Sequence, residues 1–231
     1  MNAAGAPIIG IGLYGLPEAA RLLGVTPRTI ARWMRGYSFS RAGDKRMSPP
    51  LWKADVLDVG ADVQLSFRDL VELKLVSQFV EKGIPLSVVR SAYDYAKTSF
   101  GLERPFLTGK FQTNGKTIYL EGVERSGEVS LLDLRSKQYV FRQVVERQFK
   151  ELDFEHGTAI RWRPFHGKAS IVIDPKRSFG VPIANDTGVP IAALVAAVEA
   201  EGSVSRAAAV YEVNPQVVRD AIKYSEELKA A

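Results

Sequence analysis

Leu16-Pro-Glu-Ala-Ala-Arg-Leu-Leu-Gly-Val-Thr-Pro-Arg-Thr-Ile-Ala-Arg-Trp-Met-Arg-Gly36 reads as two helices joined by a tight turn. Pro17 suits the first turn of a helix whose apolar residues are Ala19, Ala20, Leu22 and Leu23, and Gly24 ends it where a positive φ carries no steric cost. Thr26 is then a natural N-cap and Pro27 a first helical residue, because the threonine hydroxyl satisfies an unpaired amide and proline has none to leave unpaired. Ile30, Trp33 and Met34 recur at helical spacing and turn inward. That arrangement leaves Arg28, Thr29, Arg32 and Arg35 on the outer face of the second helix. The pattern is helix-turn-helix.

The chain that follows supports a reading of this segment as a polyanion-binding surface. Between Arg21 and Arg46 lie seven basic residues, Arg21, Arg28, Arg32, Arg35, Arg41, Lys45 and Arg46, and the acidic Asp44. The window carries a charge of +6 in a chain of +5, so the remainder is close to neutral and the excess is local. Nucleic acid is the leading ligand for such a patch. Residues 37–64, rich in Gly, Pro, Ser and basic side chains, are expected to form a wing, with Leu51, Trp52, Val56 and Val59 as short-strand positions. Arg41, Lys45 and Arg46 would then join the helix arginines as DNA-binding residues. Two helices are predicted next, from Ser66 to Gly83 and from Leu86 to Lys97, with Tyr93 and Tyr95 as packing residues.

Beyond Pro105 the hydrophobic period changes. Lys110-Phe-Gln-Thr, Asn114-Gly115 and Lys116-Thr-Ile-Tyr-Leu120 predict a hairpin closed by a two-residue turn. Val140, Phe141, Val144, Val145 and Phe149 predict a helix over 137–152, followed by strands near 159–163 and 169–173. The last 41 residues predict helices over 191–200, 204–211 and 215–228. Shifted by 188 positions, the N-terminal motif matches this end: Ala19 with Ala207, Ala20 with Ala208, Leu22 with Val210, Val25 with Val213, Thr26 with Asn214, Pro27 with Pro215 and Ile30 with Val218. A second helix-turn-helix over 203–223 is therefore expected. Its outer face, Gln216, Arg219, Asp220 and Lys223, is mixed in sign and less suited to phosphate.

Composition removes several classes. With no cysteine there is no disulfide, thiolate catalyst or cysteine-based metal site, which suits a reducing cytoplasm. The longest apolar runs fall short of the roughly 20 residues that span a bilayer, so no membrane role is expected. Gly10-Ile-Gly-Leu-Tyr-Gly15 has the spacing of a dinucleotide loop, but arginines occupy the region where a ribose-binding carboxylate belongs, and the segment reads as an entry to the first helix. Glu151, Asp153 and Glu155 alternate beside His156 and would share one face of a strand, an arrangement able to hold a divalent cation. They read more simply as solvated surface, and His156 and His166 lack a third ligand. No metal, no cofactor and no catalytic residue are assigned. Asn185-Asp-Thr187 has glycosylation spacing without an export signal to give it meaning.

These residues also resemble known families. Tyr14-Gly-Leu-Pro-Glu-Ala-Ala-Arg through Trp33, with the wing-like stretch and Leu65-Ser-Phe-Arg-Asp-Leu70, resembles the winged helix-turn-helix of MerR-like regulators. Ser170-Ile-Val-Ile-Asp-Pro175, Gly180-Val-Pro182, Gly188-Val-Pro190 and Ala221-Ile-Lys-Tyr224 resemble the C-terminal domain of unknown function found in VapB-like antitoxins. That family usually carries Gly-Thr-Arg before the second proline motif; here Asp186-Thr-Gly188 stands in its place. The resemblance implies a type II antitoxin that neutralises a VapC-like PIN-domain ribonuclease and represses its own operon.

The expected fold is α+β in three parts: a winged helix-turn-helix with two further helices over 1–100, a β-containing middle over 101–168 and a C-terminal helix-turn-helix domain over 169–231. The expected function is that of a cytoplasmic, non-enzymatic, DNA-binding antitoxin. Its partners would be double-stranded operator DNA, the toxin and a second copy of itself in a homodimer. The second outer face (Gln216, Arg219, Lys223) would favour protein contacts. A MerR-like regulator sensing a small ligand through the middle region is the alternative, and a metal-dependent enzyme using the three carboxylates is a third.

Overall fold

The computed structural model describes residues 11–41, 43–56, 63–113, 118–123, 129–140, 146–147 and 150–230. The fold mixes helices with antiparallel sheet, as an α+β chain should. It divides into two compact units, and the first is assembled from both ends of the chain: 1–70, 151–153 and 160–231. The second comprises 71–150 and 154–159. The boundaries therefore cut across the three consecutive blocks expected from the sequence.

The first unit opens with strand β1 (Tyr14–Gly15), helix α1 (Leu16–Leu23) and helix α2 (Pro27–Arg35), then the hairpin β2 (Tyr37–Arg41) and β3 (Asp44–Ser48) and strand β4 (Gln64–Leu65). β1 pairs antiparallel with β4, Tyr14 opposite Leu65, so the glycine-containing entry feeds a two-stranded ribbon and not a parallel nucleotide-binding sheet. Gly10 of that motif lies outside the described residues. Leu51, Trp52 and Val56, expected in strands, lie in a bent segment instead, and Val59 lies outside the described residues. Pro49-Pro50 explains the break, since neither proline can donate to a ladder. A hairpin forms earlier, at 37–48, where no proline intervenes.

Helix α3 (Phe67–Glu81) leads into α4 (Leu86–Phe100). The second unit then holds a five-stranded antiparallel sheet of β5 (Phe111–Thr113), β6 (Ile118–Val123), β7 (Val129–Asp133), β8 (Gln138–Val140) and β9 (Glu146–Arg147), in the order β8-β7-β6-β5-β9. Its core is aromatic: Phe106 meets Phe79, Tyr93 and Phe111 edge to face, with ring centroids 4.9 to 5.8 Å apart. Glu72, fully buried, accepts from Arg104 at 2.7 Å. The predicted hairpin is present, but its register pairs Thr113 with Ile118, whereas a two-residue turn at Asn114-Gly115 would pair Thr113 with Lys116. The turn itself lies outside the described residues. The helix expected over 137–152 is overturned where the chain is described: 138–140, 146–147 and 152–155 are strand. Valines and phenylalanines of this stretch satisfy the strand preference for β-branched and aromatic side chains as well as a helical period, and pairing of Leu131 with Val140 decides between the two.

Strands β10 (Leu152–Glu155), β11 (Thr158–Trp162), β12 (Ile171–Ile173) and β13 (Pro182–Ala184) form a sheet in that order, and α5 (Ile191–Glu201), α6 (Val204–Val210) and α7 (Pro215–Ala230) close the chain. Ile171, Leu194, Ala208, Val218 and Ala221 are buried in one cluster with Phe165 and Tyr224. The internal match extends to the backbone. Gly24, at φ 65°, ends α1, and its counterpart 188 positions on, Glu212, takes φ 52° after α6. Among the described residues no helix is long and apolar enough to cross a membrane.

One long-range bond fastens the two chain ends within the first unit: the buried Tyr14 hydroxyl donates to the Gly180 carbonyl at 2.8 Å. Burial pushes the phenols of Tyr14 and Tyr224 well above the usual tyrosine range. Both therefore stay protonated in the fold after the unfolded chain ionises near pH 10, so their contribution is full below about pH 10 and lost as pH rises beyond it. Tyr14→Phe is expected to lower stability by about 1–2 kcal/mol at neutral pH, by orphaning the Gly180 carbonyl, and to make the alkaline decline shallower. Thermal melts at neutral pH and at about pH 10.5 check both effects; parallel curves for the two proteins at alkaline pH would sink the assignment.

Candidate nucleic-acid interface

The best-defined candidate surface is α2 with the hairpin behind it. Thr26 caps α2 as expected, its Oγ1 accepting from the Thr29 amide at 3.1 Å. Ile30, Trp33 and Met34 are buried, while Arg28, Arg32 and Arg35 are exposed. Thr29 is drawn back: its hydroxyl lies 2.9 Å from that of Thr26, so it serves the cap and is half-buried. Its expected place beside the arginines is thus only partly kept.

The hairpin is tied to α2 at both ends. At Gly36 (φ 76°) a Cβ would lie 2.5 Å from the Ser48 carbonyl oxygen, so the sharp exit from the helix requires glycine. On the return, the Leu51 amide donates to the Trp33 carbonyl at 2.8 Å. The Arg32 guanidinium sits over the Tyr37 ring, 3.9 Å from its centroid, which joins the basic helix face to the first hairpin residue. Lys45 and Arg46 are exposed on β3, opposite Ser40 and Phe39. Adjacent strand residues face opposite ways, so each side of the hairpin carries one of these cations. Arg41 pairs with Asp44 in the backbone ladder; its side chain lies outside what is described.

A residue the sequence reading overlooked holds the far end of this loop. Asp69, fully buried in the first turn of α3, accepts from Trp52 Nε1 at 2.9 Å, from the Asp55 and Ser66 amides, and from the Ser66 hydroxyl at 3.0 Å. The Asp69 amide donates back to Ser66 Oγ. Ser66-Phe-Arg-Asp69 is thus a reciprocal capping box with aspartate in the usual glutamate place, a signal visible in the sequence at a spacing of three.

The C-terminal outer face differs in kind. Gln216, Arg219 and Lys223 are exposed, but the Arg219 Nε donates to Gln216 Oε1 at 3.0 Å and Gln216 Nε2 donates to Asp220 Oδ1 at 3.1 Å. Asp220, expected on this outer face, is buried with Lys168 Nζ 3.6 Å away. Its carboxylate is met by Gln216 one turn back and by Lys168 from outside the helix, and not by solvent.

The carboxylates of the alternative reading have partners of another kind. Asp153 lies 3.5 Å from Arg161 and 3.2 Å from Arg163, and Glu151 accepts from Trp162 Nε1 at 3.3 Å. Glu155 and His156 are exposed at the β10–β11 turn, and His166 Nε2 is 3.1 Å from Glu227. Among the described residues no group of three or more such ligands converges.

No family model matches the chain. A curated protein of Mycobacterium tuberculosis (strain ATCC 25618 / H37Rv), named "Putative antitoxin VapB45", is 29% identical over 223 residues, which cover 92% of this chain and 93% of that protein. The crystal structure of Rv2018 from Mycobacterium tuberculosis aligns with a TM-score of 0.63 at 26% identity, covering 94% of this chain and 98% of that one. The chain is thus similar over nearly its whole length to a VapB-type antitoxin and to a solved structure of the same extent.

Proposed function

We propose that the chain is the antitoxin of a type II toxin–antitoxin pair: a non-enzymatic cytoplasmic protein that binds operator DNA as a homodimer, represses its own operon and neutralises a VapC-like PIN-domain ribonuclease. The observation that carries the antitoxin reading is the likeness to VapB45 across more than nine-tenths of both chains. The DNA reading rests on the exposed arginines of α2 standing beside the cations of the β2–β3 hairpin, the arrangement of a MerR-like winged helix-turn-helix. In this reading Lys45 and Arg46 contact phosphate and set the register, while Arg28 and Arg32 reach base edges in the major groove.

Co-expression with the adjacent reading frame tests the partner. Expected are a stable complex on purification and rescue of growth from the neighbouring product; a neighbour that neither binds nor inhibits growth overturns the antitoxin reading. A truncation near Lys168 is a poor tool for this purpose, because it deletes Gly180, the partner of Tyr14, and with it half of the first unit. Full-length variants are the better choice. Lys45→Ala with Arg46→Ala should weaken operator and unrelated DNA alike and reduce the slope of log affinity against log salt by about 1.8, or 0.9 per phosphate contact. A loss confined to the operator would reassign these residues to base contacts.

A further inference from the structure

From Ala19 to Gly43 the chain carries five arginines and no carboxylate, so Arg32 finds no acid in its own stretch of sequence. Its neighbour is a ring: the guanidinium lies 3.9 Å from the centroid of Tyr37. The difference matters chemically. An arginine paired with a carboxylate commits one or two N–H donors to it, whereas a cation held against an aromatic face keeps its donors for another acceptor. Arg32 is exposed on the outer face of α2, where an incoming acceptor meets it.

The ring is itself held. Gly36 fixes the exit from α2, Tyr37 pairs with Ser48 in the hairpin ladder, and the Tyr37 side chain is half-buried. Two residues along the strand, and so on the same face, Phe39 sets its ring 5.9 Å from that of Tyr37, tilted by 48°. Phe39 is 39% exposed, and Arg46 stands opposite it across the hairpin. Tyr37-Ser-Phe39 thus lays one ring against Arg32 and a second ring against the first. An unrestrained arginine samples many rotamers and gives them up on reaching a base; one already stacked has given them up in the free protein, and its contact forms at a smaller entropic cost.

We infer that Tyr37, braced by Phe39, is a positioning residue for Arg32: the ring holds the guanidinium ready for a guanine edge and so sets how sharply the chain discriminates among duplexes, acting through Arg32 and not through a DNA contact of its own. Bidentate reading of guanine requires two N–H donors presented together at one angle, so orientation, and not charge, is what the ring supplies. The inference deepens the DNA reading proposed above and rests on it.

Anisotropy titrations with two duplexes test it, one taken from immediately upstream of this chain's own reading frame and the other a scramble of the same composition. Tyr37→Leu is expected to cut the ratio of the two affinities about two- to fivefold, the worth of a surface cation–π contact. Tyr37→Phe keeps the ring, loses the hydroxyl and should keep the wild-type ratio, and Phe39→Ala should fall between. In an Arg32→Ala background Tyr37→Leu should change nothing further, because nothing is left to position, whereas independent losses would multiply. Phe39→Ala, at an exposed site, repeats this cycle should Tyr37→Leu melt early. A Tyr37→Leu protein that folds and discriminates like the wild type, a Tyr37→Phe protein that loses the ratio, or an equal effect with and without Arg32 overturns the inference. A wild type that binds neither duplex, or both alike, refutes base reading by α2 and the inference with it. A wild type that discriminates, beside a Tyr37→Leu protein that does so equally, refutes the inference alone and leaves that reading standing.

Discussion

Replacing Arg28 and Arg32 together with alanine is expected to abolish specific operator binding while leaving the far-ultraviolet spectrum and melting temperature nearly unchanged. Both side chains are exposed on the face of α2 opposite Ile30 and Trp33, so their truncation opens no cavity. The folded state gives up the stacking of Arg32 on Tyr37, a contact at the surface worth about 0.5–1 kcal/mol. In the complex, each bidentate arginine-to-guanine contact discriminates by about 1–3 kcal/mol, so losing two removes roughly one and a half to four decades of specificity. Fluorescence anisotropy with operator and scrambled duplexes at one salt concentration separates the terms. Affinity for the scrambled duplex should fall modestly, through lost charge, while the ratio between the duplexes collapses. An unchanged ratio would remove α2 from base recognition.

The second large effect is on stability. Asp69→Ala should lower it by about 3 kcal/mol or more, because the buried carboxylate accepts from the Trp52 indole, two main-chain amides and a hydroxyl, and alanine removes these bonds together. For a chain of this size that corresponds to a fall of roughly 6–12 °C in melting temperature. Asp69→Asn, which keeps one acceptor oxygen and loses the charge, should fall between the two. Trp52 reports the local consequence: freed from its acceptor and more exposed to water, its emission should move to longer wavelength, an effect absent in a Trp52→Phe background. A melting temperature within about 2 °C of the wild type would show that the loop is held by other contacts.

The α2 half of the candidate site was legible because helix ends have specific chemistry. Gly24, Thr26 and Pro27 mark a turn through requirements that hold in any context, and the buried set Ile30, Trp33 and Met34 fixes which way the arginines face. The hairpin after α2 was placed several residues late. Its first strand, Tyr-Ser-Phe-Ser-Arg, does alternate, with the Tyr37 and Phe39 rings 5.9 Å apart, but the run is short and its partner Asp-Lys-Arg-Met-Ser is polar and mostly exposed; Leu51 and Trp52 looked more like strand because they are core. The middle region misled for a related reason. Short apolar runs fit either period, and cross-strand partners such as Leu131 for Val140 cannot be read from one segment. Burial of Asp220 was likewise invisible, as it depends on Lys168, 52 positions away.

That the Tyr14 hydroxyl finds its acceptor 166 residues downstream has a consequence for the order of events during synthesis. The helices that carry Arg28 and Arg32 leave the ribosome well before residues 160–231, which complete the unit to which they belong. At about 5–20 residues per second the nascent chain spends on the order of ten seconds without them. A message cut short, or a protease trimming the chain before residue 160, would yield a chain carrying the exposed arginines of α2 and lacking the frame that aims them. Integrity of the tail is thereby monitored at the head.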